Sequence, residues 1–185
     1  GGVVTVLNDS GNVLVNAGVD VSKGATGADG TIQLKASGNI TNNGTGVLTG
    51  DTDGKLLAYS IGGKIDLSAV ASAMKSASFQ TDTTTASAAN GTVKYYDSTD
   101  LTLATVGGAG TLTTAPSGTL ASSVALTTTG VKTVAGGTNG AVIVRAGTGN
   151  HALTVNEAIV TTPSGSANGG SVILEAGGAI LTQTN

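Results

Sequence analysis

Short runs in which apolar residues recur at every second position dominate this chain. Residues 169–181 read GGSVILEAGGAIL, and segments 30–40, 62–67 and 139–146 repeat the same order of apolar pairs and glycines. Apolar residues two apart point to one face of an extended chain, so each run predicts a half-buried β-strand. Glycines between the runs supply the backbone freedom that tight corners need. The pattern therefore predicts many short strands separated by corners.

The order of strand, corner and strand recurs along the chain. A glycine precedes the first strand of each repeat, and these glycine anchors recur at a similar spacing. The anchors are Gly2, Gly30, Gly63, Gly91, Gly118, Gly140 and Gly170. Repeats of this length indicate a solenoid or a propeller, but a propeller blade needs four strands and about 40 residues. We therefore predict an all-β parallel β-helix with about 28 residues per coil, six to seven coils and a triangular cross-section.

The predicted solenoid occupies residues 1–185 as one segment, which we expect to be a fragment of a longer repetitive chain or filament. Like residues of successive coils lie about 4.8 Å apart and form a narrow core. The side chains expected to face inward are Ile32, Leu34, Ile65, Leu67, Val142, Val144, Val172 and Leu174. Asparagine-rich corners such as 40–44 are expected to form stacked amide ladders.

One stretch departs from the alternating pattern. Residues 68–90 contain Val70, Met74 and Ala77 at helical spacing, and alanine and methionine favour helices. Two interpretations stay open: a short helix inserted on the surface, or an irregular wall of the same repeat. Either one is an irregular insertion within the solenoid.

The composition narrows the possible partners. Charged residues make up 10% of the chain and aromatic residues 2%, and the net charge is −3. The eight Lys and Arg residues are scattered, so neither a basic patch nor an aromatic platform predicts nucleic-acid binding. No apolar run reaches the roughly 18 residues of a membrane-spanning helix. The chain has no cysteine, which excludes disulfides and thiolate metal sites.

Four segments carry a family resemblance. GGSVILEAGGAI at 169–180, GTIQLKASGNI at 30–40, GGKIDLSA at 62–69 and GAVIVRAG at 140–147 resemble filamentous haemagglutinin-like repeats of large bacterial exoproteins. Similar repeats occur in autotransporter passenger domains. The resemblance implies a right-handed β-helix from a secreted filament or a bacterial cell surface, and it implies no particular receptor.

Few residues are candidates for chemistry. His151 is the sole histidine, and a general base or ligand needs partners that Asn150 and Glu157 supply poorly, so we interpret it as a structural or exposed residue. Asp51 and Asp53 in GDTDG resemble the start of a calcium loop, whose third acid and distal glutamate are missing. A turn in which these aspartates bind their own backbone is the favoured interpretation, with a weak calcium site as the alternative.

The remaining acids are isolated in the sequence. Among them are Asp20, Asp29, Asp97, Asp100 and Glu175. A polysaccharide-cleaving β-helix would need clustered carboxylates, so we predict no catalytic, cofactor-binding or metal-binding residue. The threonine runs at 83–85 and 127–129 do not keep the constant register that an ice-binding face would need.

These observations predict a non-enzymatic structural or adhesive segment of an extracellular bacterial surface or filament protein. Its expected partners are neighbouring coils of the same long chain or head-to-tail copies, together with a host-cell or glycan receptor. Open strand edges are expected at both ends of the solenoid. The alternative function is a carbohydrate-binding or carbohydrate-cleaving β-helix, for which Tyr59, Tyr95 and Tyr96 are the aromatic candidates.

Overall fold

The computed structural model describes residues 2–23, 27–82, 91–107, 126–134, 140–161 and 168–183. These residues form β-strands and contain no α-helix, so the prediction of an all-β chain is confirmed. Most strands pair in parallel within two large sheets, an arrangement compatible with a β-helix.

Sheet A and sheet B contain fifteen of the strands. Sheet A consists of β1 (Val3–Asn8), β4 (Thr31–Ala36), β7 (Lys55–Ser60), β9 (Ser76–Thr81), β11 (Leu101–Leu103), β14 (Val131–Thr133), β16 (Leu153–Val155), β17 (Ile159–Thr161) and β19 (Ile180–Thr182). Sheet B consists of β2 (Val13–Val15), β5 (Ile40–Asn42), β8 (Ile65–Ser72), β10 (Val93–Asp97), β15 (Val142–Arg145) and β18 (Val172–Glu175). Two further pairs are β3 (Val19–Asp20) with β6 (Leu48–Thr49), which is parallel, and β12 (Thr105–Gly107) with β13 (Thr127–Thr129), which is antiparallel.

Strands of sheet B pair with the strand one repeat later in the chain. Val13 pairs with Ile40, Ile40 with Ile65, and Ile65 with Val93, so the steps along the sequence are nearly equal. Val93 then pairs with Val142, a step nearly twice as long that contains the β12–β13 hairpin. Inward-facing residues of successive strands therefore stack in register, as the alternating pattern predicts.

Six of the eight predicted core residues are confirmed as buried, each no more than 1% exposed. They are Ile32, Leu34, Ile65, Leu67, Val142 and Val144. The prediction for Val172 is wrong, since this side chain is 44% exposed. Leu174 is half-buried and packs against the core. Both belong to β18, which pairs only with β15, so no strand in the described part covers their other side.

The core holds two aromatic rings despite the low aromatic content. Phe79 of sheet A and Tyr95 of sheet B meet with ring centroids 5.1 Å apart. Both side chains are buried, and Ala58 lies beside Phe79 in the strand pairing. A small residue next to a large one keeps the narrow interior filled.

Stacked glycines shape the corner that leads into sheet B. A Cβ on Gly63 would lie 2.5 Å from the carbonyl carbon of Gly38, and one on Gly170 would lie 2.1 Å from the carbonyl oxygen of Gly140. No side chain fits between backbones this close, so the repeating glycine is a packing requirement rather than a flexible link.

The glycine anchors mark two different corners. Gly2 and Gly30 precede strands of sheet A, whereas Gly63, Gly91, Gly140 and Gly170 precede strands of sheet B. The predicted repeat boundary is therefore wrong, because it mixes anchors of the two sheets. The interval from Gly91 to Gly140 is also much longer than the other intervals in sheet B, since it contains the hairpin. Gly118 lies outside the described residues.

The prediction of a short helix within residues 68–90 is wrong. Residues 65–72 form β8 and residues 76–81 form β9, with Met74 buried between them. Ala77 is also buried and pairs with Leu56 in sheet A. Long-range strand pairing outweighs the weak local helix preference of this stretch. Residues 83–90, which include the threonine run at 83–85, lie outside the described part.

An insertion occurs instead between β11 and β14, where the chain leaves sheet A and later rejoins it. Its ends form the β12–β13 hairpin, to which the threonine run at 127–129 belongs. Val106 and Leu126 pack on Leu57, on the outer face of sheet A. On the same face Gln33 is fully buried, and neither atom of its amide has a hydrogen-bond partner among the described residues.

The predicted asparagine ladder is confirmed at the corner after β5. Asn43 Nδ2 donates to Asn16 Oδ1 of the preceding repeat at 2.8 Å. At the corner before sheet B, Asn12 Oδ1 accepts the backbone N–H of Asn39 at 2.7 Å, and Asn39 Oδ1 accepts that of Lys64 at 3.0 Å. The amides thus tie successive repeats together at two corners.

Candidate functional site

His151 lies at a corner and faces a carboxylate that is distant in sequence. Its Nδ1 is 3.4 Å from Asp100 Oδ1, and both side chains are about half exposed. Asp100 also accepts the backbone N–H of Ala152 at 2.8 Å. This hydrogen bond, followed by the histidine, holds the pKa of Asp100 below its usual value. Among the described residues no hydroxyl hydrogen-bonds to the imidazole in the way that the nucleophile of a catalytic triad does.

Sequence reasoning missed this pair because its members are far apart in the chain. Of the neighbours considered for His151, Glu157 instead accepts a hydrogen bond from Thr105 at 3.0 Å. The pairing register of β11 and β16 is the information that would have identified the pair. Leu101 pairs with Leu153, so the residues that precede these two strands meet at one corner.

The aspartate-rich loop at residues 50–54 is closed by an acid from the preceding repeat. Asp29 Oδ2 accepts the backbone N–H of Asp53 at 2.5 Å, and its Oδ1 accepts that of Lys23 at 2.6 Å. Asp51 has a positive φ of 46°, a turn conformation that aspartate tolerates. Both aspartates of the loop are exposed, and the carboxylate that organises it is Asp29.

Desolvation acts to raise the pKa of Asp29, but its hydrogen bonds with Asp53, Lys23 and Thr52 together outweigh this effect and lower the pKa. The hydrogen bonds of Ser22 lower the pKa of Asp20. Across the described ranges, no three residues of the types His, Cys, Asp or Glu come close enough to hold a metal ion. Residues 51–53 form a turn, but the carboxylate that binds its backbone is that of Asp29 and not, as predicted, that of Asp51 or Asp53.

Asp97 is a fully buried carboxylate at the end of β10. Its Oδ2 accepts hydrogen bonds from Tyr95 Oη at 2.6 Å and from Met74 N at 2.9 Å. Its Oδ1 accepts two from Thr99, from the backbone N at 2.9 Å and from Oγ1 at 2.7 Å. Burial raises the pKa of Asp97, although these four donors act in the opposite direction. Burial and the neighbouring carboxylate together raise the pKa of Tyr95 well above 10.0.

The three tyrosines considered for ligand stacking occupy different environments. Tyr95 is buried in the core and cannot contact a ligand. Tyr59 is half-buried beside the hairpin and donates to Asp82 at 2.5 Å. Desolvation and this carboxylate raise the pKa of Tyr59 to about 12. Tyr96 lies on the outer face of sheet B, where the Arg145 guanidinium sits 5.0 Å from its ring centroid.

Arg145 also pairs with Glu175 of the next strand, at 3.4 Å. These two residues line an open cleft of about 340 Å³, and Leu174 and Ile180 are among the other residues that line it. The sheet register thus brings a tyrosine, a cation and an acid into one row. Because Arg145 covers the ring of Tyr96, this row lacks the open aromatic face on which a sugar would stack.

Exposed apolar side chains concentrate on the outermost strands. Large exposed hydrophobic residues in the described part are Val3, Val6, Leu14, Ile61, Val160, Val172, Ile173, Ile180 and Leu181. All except Ile61 belong to β1, β2, β17, β18 and β19, each of which pairs with a strand on one side only. Apolar surface next to unpaired backbone groups is typical of an edge that another strand covers.

Within the described residues, no helix is long and apolar enough to cross a membrane. No family model, curated protein or solved structure matches this chain.

Proposed function

We propose that this chain is a structural or adhesive segment of an extracellular bacterial surface or filament protein, without catalytic activity. The observation that carries the proposal is the concentration of exposed apolar side chains on strands with one open edge. Such strands accept further strands rather than small molecules. The resemblance of its repeats to filamentous haemagglutinin-like sequences supports the extracellular location.

The proposed shape is a right-handed parallel β-helix with about 28 residues per coil and a triangular cross-section. The nearly equal pairing steps of sheet B support a constant coil length, apart from the step that contains the hairpin. The β3–β6 pair supports a third wall, which the bridge between Thr49 and Ala73 extends. Sheet A has seven successive levels and sheet B six, which supports six to seven coils.

The proposed partners of the open edges are further parallel coils, supplied by the same chain or by copies stacked head to tail. Ile180 pairs with Leu153 of the core on one side and is 46% exposed on the other. A coil placed on β18 and β19 would continue both sheets and bury these side chains. A head-to-tail contact of this kind does not close, so it would build a fibre.

Sedimentation velocity over a range of protein concentrations tests the assembly. We expect concentration-dependent growth that is reduced when Ile180→Lys and Leu181→Lys place charges on the open edge. Ile61→Lys is the matched control, because Ile61 is 40% exposed and lies outside the edge strands. A protein that stays monomeric at all concentrations, with amides of β18 and β19 protected from hydrogen exchange, would contradict the proposal.

Carbohydrate binding through hydrogen bonds is the alternative, and the neighbouring Arg145 and Glu175 side chains favour it. A planar guanidinium and a carboxylate are groups that hydrogen-bond sugar hydroxyls. Titration of glycans against the wild type and Arg145→Ala tests this role. Saturable binding that is lost in the variant would replace the purely structural proposal, and turnover of a glycan would refute the absence of catalysis.

A further inference from the structure

A column of hydroxyl side chains runs along the corner between sheets A and B. Ser60 pairs with Thr81, Thr81 with Thr133, and Thr133 with Thr161, each at the end of its strand. The first three are completely buried, and Thr161 is half-buried. Four successive levels of sheet A therefore end on an inward-facing hydroxyl group.

Each hydroxyl bonds to a glycine of the corner that leads into sheet B. Three threonines donate to the glycine that opens the next strand: Thr81 to Gly91 O at 3.0 Å, Thr133 to Gly140 O at 2.8 Å, and Thr161 to Gly170 O at 3.1 Å. Ser60 donates to Gly38 O at 2.7 Å and accepts the N–H of Gly63 at 3.0 Å. A hydrogen bond between a hydroxyl and a corner glycine thus joins the two sheets at each of these levels. The three threonines donate to the glycine carbonyl, whereas Ser60 accepts the glycine N–H.

The chain between the joined residues varies in length, while a hydrogen bond between the hydroxyl and the corner glycine is present at each level. Two residues separate Ser60 from Gly63, whereas nine separate Thr81 from Gly91, six separate Thr133 from Gly140, and eight separate Thr161 from Gly170. The next strand of sheet B begins two residues after each glycine, at Ile65, Val93, Val142 or Val172. The register of both sheets is therefore independent of the length of the intervening segment.

We infer that this hydroxyl column makes the corner between sheets A and B a loop-accepting corner. Connecting segments of different length can be accommodated there without a change in the pairing of the strands in either sheet. The bond gives a corner glycine a hydrogen-bond partner, and for the carbonyls of the buried residues Gly91 and Gly140 this partner replaces water. With both ends held, lengthening a segment costs only the slowly growing entropy of loop closure. This inference rests on the hydrogen bonds and does not depend on the proposed function.

Paired insertions test the inference. Eight Gly and Ser residues placed between Gly136 and Gly137 should raise the unfolding equilibrium constant only about threefold, the loop-closure cost of extending six residues to fourteen. The matched insertion between Ser98 and Thr99 should raise it at least tenfold more, because it separates Thr99 from the carboxylate of Asp97. Urea denaturation measures both constants. Equal losses from the two insertions would overturn the inference.

Substitution of the hydroxyl tests its role directly. Thr133→Val keeps the shape of the side chain and should raise the unfolding constant about tenfold, since it leaves a buried carbonyl unpaired. Thr133→Ser should restore most of the loss. Thr154→Val is the control, because Thr154 lies in the same sheet, is half-exposed and pairs outside the column. Equal effects of the two valine substitutions would also overturn the inference. If Thr133→Val does not fold, the comparison of the two insertions remains the test.

Discussion

Phe79 offers the sharpest test of how the interior is packed. Its ring is fully buried, lies 5.1 Å from the ring of Tyr95, and stacks between Ala58 and Val131 in sheet A. Phe79→Ala would leave a cavity that the neighbouring alanine is too small to fill. Core substitutions of this kind cost about 3–5 kcal/mol, and limited collapse of rigid stacked strands favours the upper half of that range. Phe79→Leu should cost about 1.5 kcal/mol or less.

Urea denaturation of purified variants measures these free energies of unfolding. A thermodynamic cycle with Tyr95→Leu should give a coupling of about 0.5–1.5 kcal/mol between the two rings. The matched cycle with Tyr96→Leu should give a coupling near zero, because Tyr96 lies on the opposite face of the same strand. If Phe79→Ala cost less than about 1 kcal/mol, or if both cycles gave equal couplings, a close-packed interior between the sheets would be refuted.

Three further predictions follow from buried groups. Val142→Asp should cost about 4 kcal/mol or more, whereas Val172→Asp should cost less than about 1 kcal/mol because that site is 44% exposed; thermal unfolding distinguishes them. Gln33→Met should stabilise the protein by about 1–2 kcal/mol in urea denaturation, since it removes two buried polar atoms that have no partner among the described residues, and destabilisation would contradict this reason. Folding raises the pKa of Asp97 above 3.8, so this residue contributes most to stability below pH 3.8 and less as the pH rises through the folded pKa. The free energy of unfolding of the wild type, minus that of Asp97→Asn, should therefore decrease from pH 3 to pH 7. An increase in this difference would mean that folding lowers the pKa of Asp97.

The strands of sheet B were predictable because their signal is local. Alternation places Val142 and Val144 on one side of a strand, and it does the same for the strand at Ile65 and Leu67. The same rule separates Tyr95 from Tyr96, which face opposite sides of β10. Val172 has an equally clear pattern and is nevertheless exposed, because burial depends on a neighbouring strand and not on the alternation itself.

The hairpin insertion and the pairing of His151 with Asp100 were not predictable in the same way. Residues 127–129 and 131–133 are both short, threonine-containing strands, yet the first pairs with β12 and the second joins sheet A. Local sequence does not encode that choice, which depends on which partners the rest of the chain presents. The acid–histidine contact depends in turn on a register that includes the insertion, so an even repeat spacing misplaces it.

The parallel ladder described above also has a mechanical consequence. Backbone hydrogen bonds join each level to the next, for example Val13 N to Asn39 O and Ile65 N to Thr92 O, so these bonds run along the direction in which the strands stack. A pulling force applied to opposite ends of the stack would load one level at a time, because each level contacts only its neighbours. We therefore expect stepwise peeling under tension, with a larger release of chain at the level that carries the hairpin between β11 and β14.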